Sequence, residues 1–411
     1  STSHHVWFFF ELAVVRARLV SMFTSLLADS EITEASNDPS QDVPPGRLLR
    51  LLEQAVAFQI CSSRYQPKVL PPIATLMRDY ECFVLPNALE HEYIGHTSNT
   101  KCLAFLGPDD SMLVSGSSDQ TLRVWHVGEP NKPSMVLAGH TSRIWDLDTS
   151  PSRNVVVSAS GDSTVNVWNV GGYLHQTSGS KTQDFEPDAT LSGHKGDVYA
   201  VAHHRENPVV SSAGYDRTVR LWDMEKATQT RCFYGHESSV TCLAYNAQGN
   251  LVISGSKDNS VRFWDMVSGL MVNSLSNVGD VTSVDISSNG LFLLTASKGN
   301  SNRLWDLRKI SGNDSTKAVR LYRGHQNTST NFIRARFGPA PTLVMSGSED
   351  GYAYIWDRES GQKVQRLGGT NSTMYSAMWS SRQSVLATAS HDGIIRTWWY
   401  DEGRPLEFGA T

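Results

Sequence analysis

Six aspartates stand at one position of a recurring pattern: Asp119, Asp162, Asp216, Asp258, Asp350 and Asp392. Five histidines each follow a glycine: His96, His140, His194, His236 and His325. Carboxylates and imidazoles are the usual general acids, bases and metal ligands. A catalytic or metal centre gathers unlike positions into one place, whereas these residues return once per repeat. They read as structural groups, so no catalytic residue, no metal site and no cofactor is expected. His203 and His204 are adjacent at a strand end; neighbours on a strand face opposite sides, which separates the two imidazoles. The chain carries no P-loop, no HExxH, no GxSxG and no dinucleotide fingerprint on a strand–helix unit. Its five cysteines (Cys61, Cys82, Cys102, Cys232, Cys242) are scattered and odd in number, without a CxxC pair. That usage suits a reducing compartment, nuclear or cytoplasmic, and offers no disulfide framework.

The elements behind these residues repeat seven times. The stretches are MLVSGSSDQTLRVWH, VVVSASGDSTVNVWN, PVVSSAGYDRTVRLWD, LVISGSKDNSVRFWD, FLLTASKGNSNRLWD, LVMSGSEDGYAYIWD and VLATASHDGIIRTWW. Each has an apolar run, small residues, a tight polar turn and an alternating run that ends at Trp125, Trp168, Trp222, Trp264, Trp305, Trp356 or Trp398. A further short strand lies between the Gly-His pair and each apolar run, for example VTCLAY at 240–245. A small sheet of this kind cannot bury both faces alone, so it must stack on its neighbours. Small residues in the middle strand, Gly116 and Gly255 among them, permit that approach.

Composition agrees. The 411 residues include 36 Lys+Arg and 41 Asp+Glu, a net charge of −5, with 39% hydrophobic and 19% charged residues. That excludes disorder throughout and argues against a coat for nucleic acid or anionic membrane. The most apolar stretch, residues 6–28, contains Glu11, Arg16 and Arg18. Each charge near a bilayer centre costs about 2.5–3.5 kcal/mol, which disfavours a span. Phe8, Leu12, Val15, Leu19, Met22 and Leu26 recur at helical steps and predict an amphipathic helix. The chain opens on Ser1 rather than Met, which suggests a processed or truncated start.

Over residues 95–400 the pattern resembles the WD-repeat family. The resemblance implies an all-β fold, a seven-bladed β-propeller, here with an N-terminal α-helical extension. It also implies a hydrogen-bonded tetrad of Asp, His, Ser/Thr and Trp per blade, in blade 1 Asp119, His96, Ser115 and Trp125. Blade 5 departs, with Val278 and Gly299 in the His and Asp positions, so nothing is expected to be orphaned there, and this blade is expected to be the least rigid. Blade 7 has Thr370 in the His position. The chain stops soon after IIRTWWY at 394–400, so the outer strand of blade 7 must come from NALEHEYI at 87–94. The expected organisation is a helical region 1–86, a propeller 87–400 closed by strand 87–94, and a tail 401–411. Loops 171–188 and 308–317 exceed the repeat length and should emerge on the bottom face.

The run VPPGRLLRLLEQA, within a helical segment at 43–60, resembles the region before the propeller in LisH–CTLH–WD proteins, a family that includes a splicing factor and ubiquitin-ligase subunits. It implies oligomerisation through the N-terminal helices. In the WD family, partners often dock on the top face. The positions carried over include Asn99, Lys101 and Ser118 in blade 1, and Arg143 and Trp145 in blade 2. Blade 3 contributes Asp197, Tyr199 and Tyr215, and blades 4 and 5 contribute Lys257, Asp280 and Lys298. Blade 6 contributes Asn331, Ile333 and Glu349, and blade 7 Tyr375 and His391. A protein- or peptide-binding site centred on Arg143, Trp145, Tyr199 and Tyr215 is expected, since exposed Trp, Tyr and Arg dominate interface energetics. Trp305-Asp306-Leu307-Arg308 matches the WDxR ending of cullin-RING substrate receptors, which implies an adaptor contact at Arg308. The resulting expectation is a non-enzymatic scaffold in a multiprotein complex, most like the splicing-associated scaffolds. The alternatives are a substrate receptor of a cullin-RING or CTLH-type ubiquitin ligase, and a methyl-lysine or histone-tail reader. Direct nucleic-acid or membrane binding is not expected, and neither is an enzyme. A hydrolase would need convergent carboxylates on the inner strands, and none repeats there.

Overall fold

The computed structural model describes residues 85–400, less positions 108, 133–134, 151–153, 172–184, 277, 311–316, 329–330, 339–342, 381 and 383–384. The expectations for the helices at 6–28 and 43–60, the tail 401–411 and most of the two long loops lie outside the described residues. Among the described residues, 28 strands form seven four-stranded antiparallel sheets. Blade 1 is typical: Thr100–Leu106 innermost, then Met112–Ser117, Thr121–His126 and, outermost, Met135–Ala138. The inner strands of the seven blades follow one another around a ring.

The last sheet joins the two ends of the propeller. Met374–Trp379, Leu386–Ser390 and Ile395–Trp399 are completed by Ala88–Tyr93, which pairs antiparallel with Ile395–Trp399. That pairing covers an edge that would otherwise present unpaired N–H and C=O groups. The outer edge of blade 1 is also partly covered: Phe185 bridges Leu137 in parallel, and its carbonyl accepts from the Ala138 N–H at 3.1 Å.

Close packing between blades depends on residues without bulk. A Cβ on Gly116 would lie 2.6 Å from Cys102 Sγ and 2.8 Å from Ile144 Cγ2. On Gly255 it would meet Cys242 Sγ and Val281 Cγ1, both at 2.6 Å. Both contacts lie in the buried clusters that bond blade 1 to blade 2 and blade 4 to blade 5. Burial pushes the thiols of Cys102 and Cys242 well above the usual range, which makes them packing groups rather than nucleophiles.

Tetrads form in blades 1 to 4. In blade 4, His236 Nδ1 lies 2.7 Å from Asp258 Oδ2, His236 Nε2 lies 2.7 Å from Ser254 Oγ, and Trp264 Nε1–H donates to that same Oγ at 2.8 Å. Blades 1, 2 and 3 repeat the arrangement around Ser115, Ser158 and Ser212. Burial alone would raise each aspartate, but the histidine bond and charge together with nearby N–H and hydroxyl donors outweigh it. Asp119, Asp162, Asp216 and Asp258 therefore lie well below the usual carboxylate range.

One expectation is corrected. Blade 6 has all four tetrad residue types but no tetrad. Tyr354 Oη donates to Asp350 at 2.6 Å, Trp356 Nε1 donates to the Arg323 carbonyl at 3.0 Å, and both ring nitrogens of buried His325 lack hydrogen-bond partners. In blade 5 the loss of both His and Asp orphans nothing in the tetrad, since Trp305 Nε1–H donates to Thr295 Oγ1 at 2.9 Å, but an unpaired group lies elsewhere in the blade. Asn302 is 0% exposed and neither amide atom has a partner. It lies three residues before the blade tryptophan, where the other six blades have Leu122, Val165, Val219, Val261, Ala353 and Ile395. Replacing an unpaired buried amide by an apolar group of similar shape removes a desolvation penalty of about 1–3 kcal/mol. Asn302→Val should therefore raise the urea midpoint without changing the slope of the transition; a lowered midpoint would show that the amide is satisfied in solution.

Candidate functional site

The loops that run from each outer strand to the next inner strand, together with the turn after each middle strand, share one end of the ring, the top. Inner strands begin there. Trp145 is the second residue of Ile144–Ser150 and Tyr199 the second of Val198–His203, so alternation turns both toward the mouth of the channel. The rings meet edge to face, with centroids 5.2 Å apart at 80°. Asp197 holds the indole in place, accepting from Trp145 Nε1–H at 3.0 Å.

A third ring comes from blade 6, across the ring of blades. Phe332 lies 5.3 Å from Trp145 and 5.2 Å from Tyr199, centroid to centroid. The blade 6 inner strand starts only at Ala335, so residues 331–334 precede it at the mouth. Arg334 anchors them. Its guanidinium reaches Asp146 at 3.3 Å and donates to the Tyr199 carbonyl at 3.3 Å, while its backbone N–H donates to the Tyr375 carbonyl at 2.8 Å. Blades 2, 3, 6 and 7 are thereby tied at one point. Burial raises Asp146, and the Arg334 charge opposes that shift in part.

Cations surround the rings. Lys101 Nζ lies 3.5 Å and Arg143 Cζ 5.0 Å from the Trp145 ring centroid. Lys257 Nζ is 5.7 Å from the Tyr199 ring and 5.2 Å from the Phe332 ring. Such contacts contribute about 0.5–2 kcal/mol each, depending on desolvation. Burial first and Arg143 second lower Lys101 to about 8.

The other top-face residues divide. Tyr215 is 61% exposed, packs beside Gly196 and makes none of these ring contacts, so it stands apart from the cluster it was expected to join. Lys298 is paired with Asp280 at 2.8 Å. Tyr375 is not a surface residue: it is 3% exposed, its hydroxyl lies 2.7 Å from His391 Nδ1, and it accepts from Asn99 Nδ2 at 3.4 Å. His391 itself is exposed, whereas Ile333 is fully buried. On the opposite face, Arg308 closes on its own neighbour, donating to Asp306 through Nε at 2.9 Å and Nη2 at 2.8 Å.

Sequence reasoning missed two things. The insertion in blade 6 obscures the register of Phe332; its signal is an aromatic residue between Asn331 and Ile333, the two positions carried over. Carboxylates do line the inner strands. Asp146, Asp148 and Asp285 accept from the backbone N–H groups of Val201, His203 and Phe337 at 3.2, 2.8 and 2.8 Å. All three bonds join neighbouring blades, and burial raises all three acids. They satisfy inner-strand edges, a structural use: Asp148 and Asp285 are each the fifth residue of their inner strands, in blades 2 and 5, while Asp146 stands at the third residue of its own. Among the described residues no group of three or more His, Cys, Asp or Glu is arranged to hold a metal ion.

Comparison with known proteins follows the same lines. The model of the WD domain, G-beta repeat, matches residues 87–126, 131–169, 185–223, 227–265, 271–306, 316–357 and 361–398. Protein tipD of Dictyostelium discoideum is 28% identical over 321 residues, 77% of this chain and 49% of its own. The WD repeat-containing protein 26 homolog of Arabidopsis thaliana is 39% identical over 87 residues, 21% of this chain and 15% of its own. Autophagy-related protein 16 of Arabidopsis thaliana is 29% identical over 212 residues, 51% of this chain and 40% of its own. The chain spans about half the length, or less, of the curated relatives it matches.

Proposed function

The chain belongs to the WD40-repeat family, and we propose that it is a non-enzymatic scaffold that docks protein or peptide partners on the top face, around Trp145, Tyr199 and Arg143. The observation that carries this reading is the convergence of Trp145, Tyr199 and Phe332 from three blades, rimmed by cations. Clustered, immobilised aromatics beside Arg are the residue types that dominate binding energy. Their rotamers are held by Asp197 and by one another, so docking requires little reorganisation. A scaffold most like the splicing-associated LisH–CTLH–WD proteins, in the nucleus or cytoplasm and self-associating through its N-terminal region, is the form we favour. Arg308 is engaged by Asp306, which weighs against the adaptor contact that a cullin-RING receptor needs. Lys101 occupies a face of the Trp145 indole, which weighs against a methyl-lysine cage there.

The test is affinity purification from the native source with Trp145→Ala and Tyr199→Ala. Loss of a hot-spot aromatic costs at least about 2 kcal/mol, near thirtyfold in affinity. A subset of partners should disappear while melting stays unchanged. An unchanged partner set removes the top face from consideration.

A further inference from the structure

We infer that the top mouth accepts the carboxylate side chains of an acidic peptide segment, held by Lys101, Arg143 and Lys257 around the Trp145–Tyr199–Phe332 cluster. This rests on the top-face reading above and gives it a ligand chemistry. The first ground is charge pairing. Arg220, Lys298, Arg334 and Arg396 each have a carboxylate partner between 2.7 and 3.3 Å. Among the described residues, Lys101, Arg143 and Lys257 have no carboxylate within 4 Å; their close contacts are with ring faces. Three unneutralised cations therefore share one place in a chain of net charge −5.

The second ground is how they are held. Lys101 and Arg143 lie over the same indole, so two like charges are kept close together on a half-buried surface. The nearest acid, Asp197, already accepts the indole N–H. An incoming carboxylate would supply the missing countercharge through charge-assisted hydrogen bonds, which are about twice as strong as neutral ones. A nucleic acid fits less well: Asp280 and Glu349 occupy the same face, and three cations neutralise few phosphates. The apolar ring faces suit a peptide whose acidic residues alternate with apolar ones.

The measurement is fluorescence anisotropy of a fluorescein-labelled octa-glutamate peptide with the full chain at low ionic strength. Octa-glutamine and octa-phosphoserine peptides serve as comparisons. Binding of octa-glutamate is expected, with little binding of octa-glutamine. The double variant Lys101→Gln/Arg143→Gln should weaken it by at least about tenfold, equal to 1.4 kcal/mol. Lys226→Gln on the bottom face should leave it unchanged. Equal binding of octa-glutamine, an unaffected double variant that melts normally, or binding of octa-phosphoserine alone would each overturn the carboxylate assignment. Natural partners separate the two readings. If Trp145→Ala loses them and the double variant keeps them, the acidic chemistry fails while the docking face stands; if Trp145→Ala keeps them, the docking face itself fails.

Discussion

Ser254→Ala should cost the fold about 2–6 kcal/mol, although it removes a single oxygen. Ser254 is 0% exposed and its hydroxyl serves two partners. Asp258, held ionised well below the usual carboxylate range, accepts from His236 Nδ1–H. That fixes the tautomer: Nε2 is the acceptor, Ser254 donates to it, and Trp264 donates to Ser254. The serine is the central link of a polarised chain, and alanine there leaves both the Trp264 N–H and His236 Nε2 buried without partners. Each orphan costs about 1–3 kcal/mol. Ser346 holds the corresponding place in blade 6, but its hydroxyl bonds only to the adjacent Gly347 carbonyl, at 3.0 Å. Ser346→Ala should therefore cost under about 1.5 kcal/mol, one ordinary net hydrogen bond. Urea midpoints of the two variants measured side by side decide the matter; equal losses would mean that the blade 4 chain is not a unit.

That contrast explains how far the residues alone could be read. Seven Trp-terminated stretches encode seven sheets, because each residue type is required by contacts inside its own repeat. The spacing of ten between Ser254 and Trp264, or between Thr388 and Trp398, is a hydrogen bond within one blade. Blade 6 shows where local reading stops. Its Ser, His, Asp and Trp match the others, but Tyr354 stands two residues before the tryptophan, where Arg123, Asn166, Arg220, Arg262, Arg303 and Arg396 stand elsewhere. A phenol there outcompetes the histidine for Asp350. Asn302 was equally legible in retrospect, as one amide in a column of aliphatic residues. The mouth was legible only in part. Trp145 and Tyr199 follow from strand alternation, whereas Phe332 arrives from across the channel and Arg334 ties four blades together; no periodicity within one repeat encodes a contact between blades so far apart in the chain.

The failed tetrad of blade 6 leads to a pH dependence that the other blades do not share. His325 is 2% exposed, packs its ring at 5.4 Å from Trp356, and is pushed down to about 4 by burial, with the Asp350 charge opposing. In the unfolded chain an imidazole titrates near 6.5. Above that pH the ring is neutral in both states and contributes no slope. Between about 6.5 and 4 the unfolded state binds a proton that the folded state refuses, so stability falls as pH falls, by up to 1.36 kcal/mol per unit. Over the whole window the loss is about 3 kcal/mol. The tetrad aspartates act in a lower window, since depressed carboxylates contribute stability that is lost only as pH drops below their unfolded values near 4. His325→Phe separates the two effects. It keeps an aromatic ring against Trp356 and removes both unpaired nitrogens, so the variant should be at least as stable at pH 7.5 and should pull ahead of the parent progressively toward pH 5. Urea midpoints at several pH values test this directly. A difference between the two proteins that stays constant from pH 7.5 to 5 would mean that the buried ring accepts its proton in place, through a partner gained by rearrangement of the Asp350 turn.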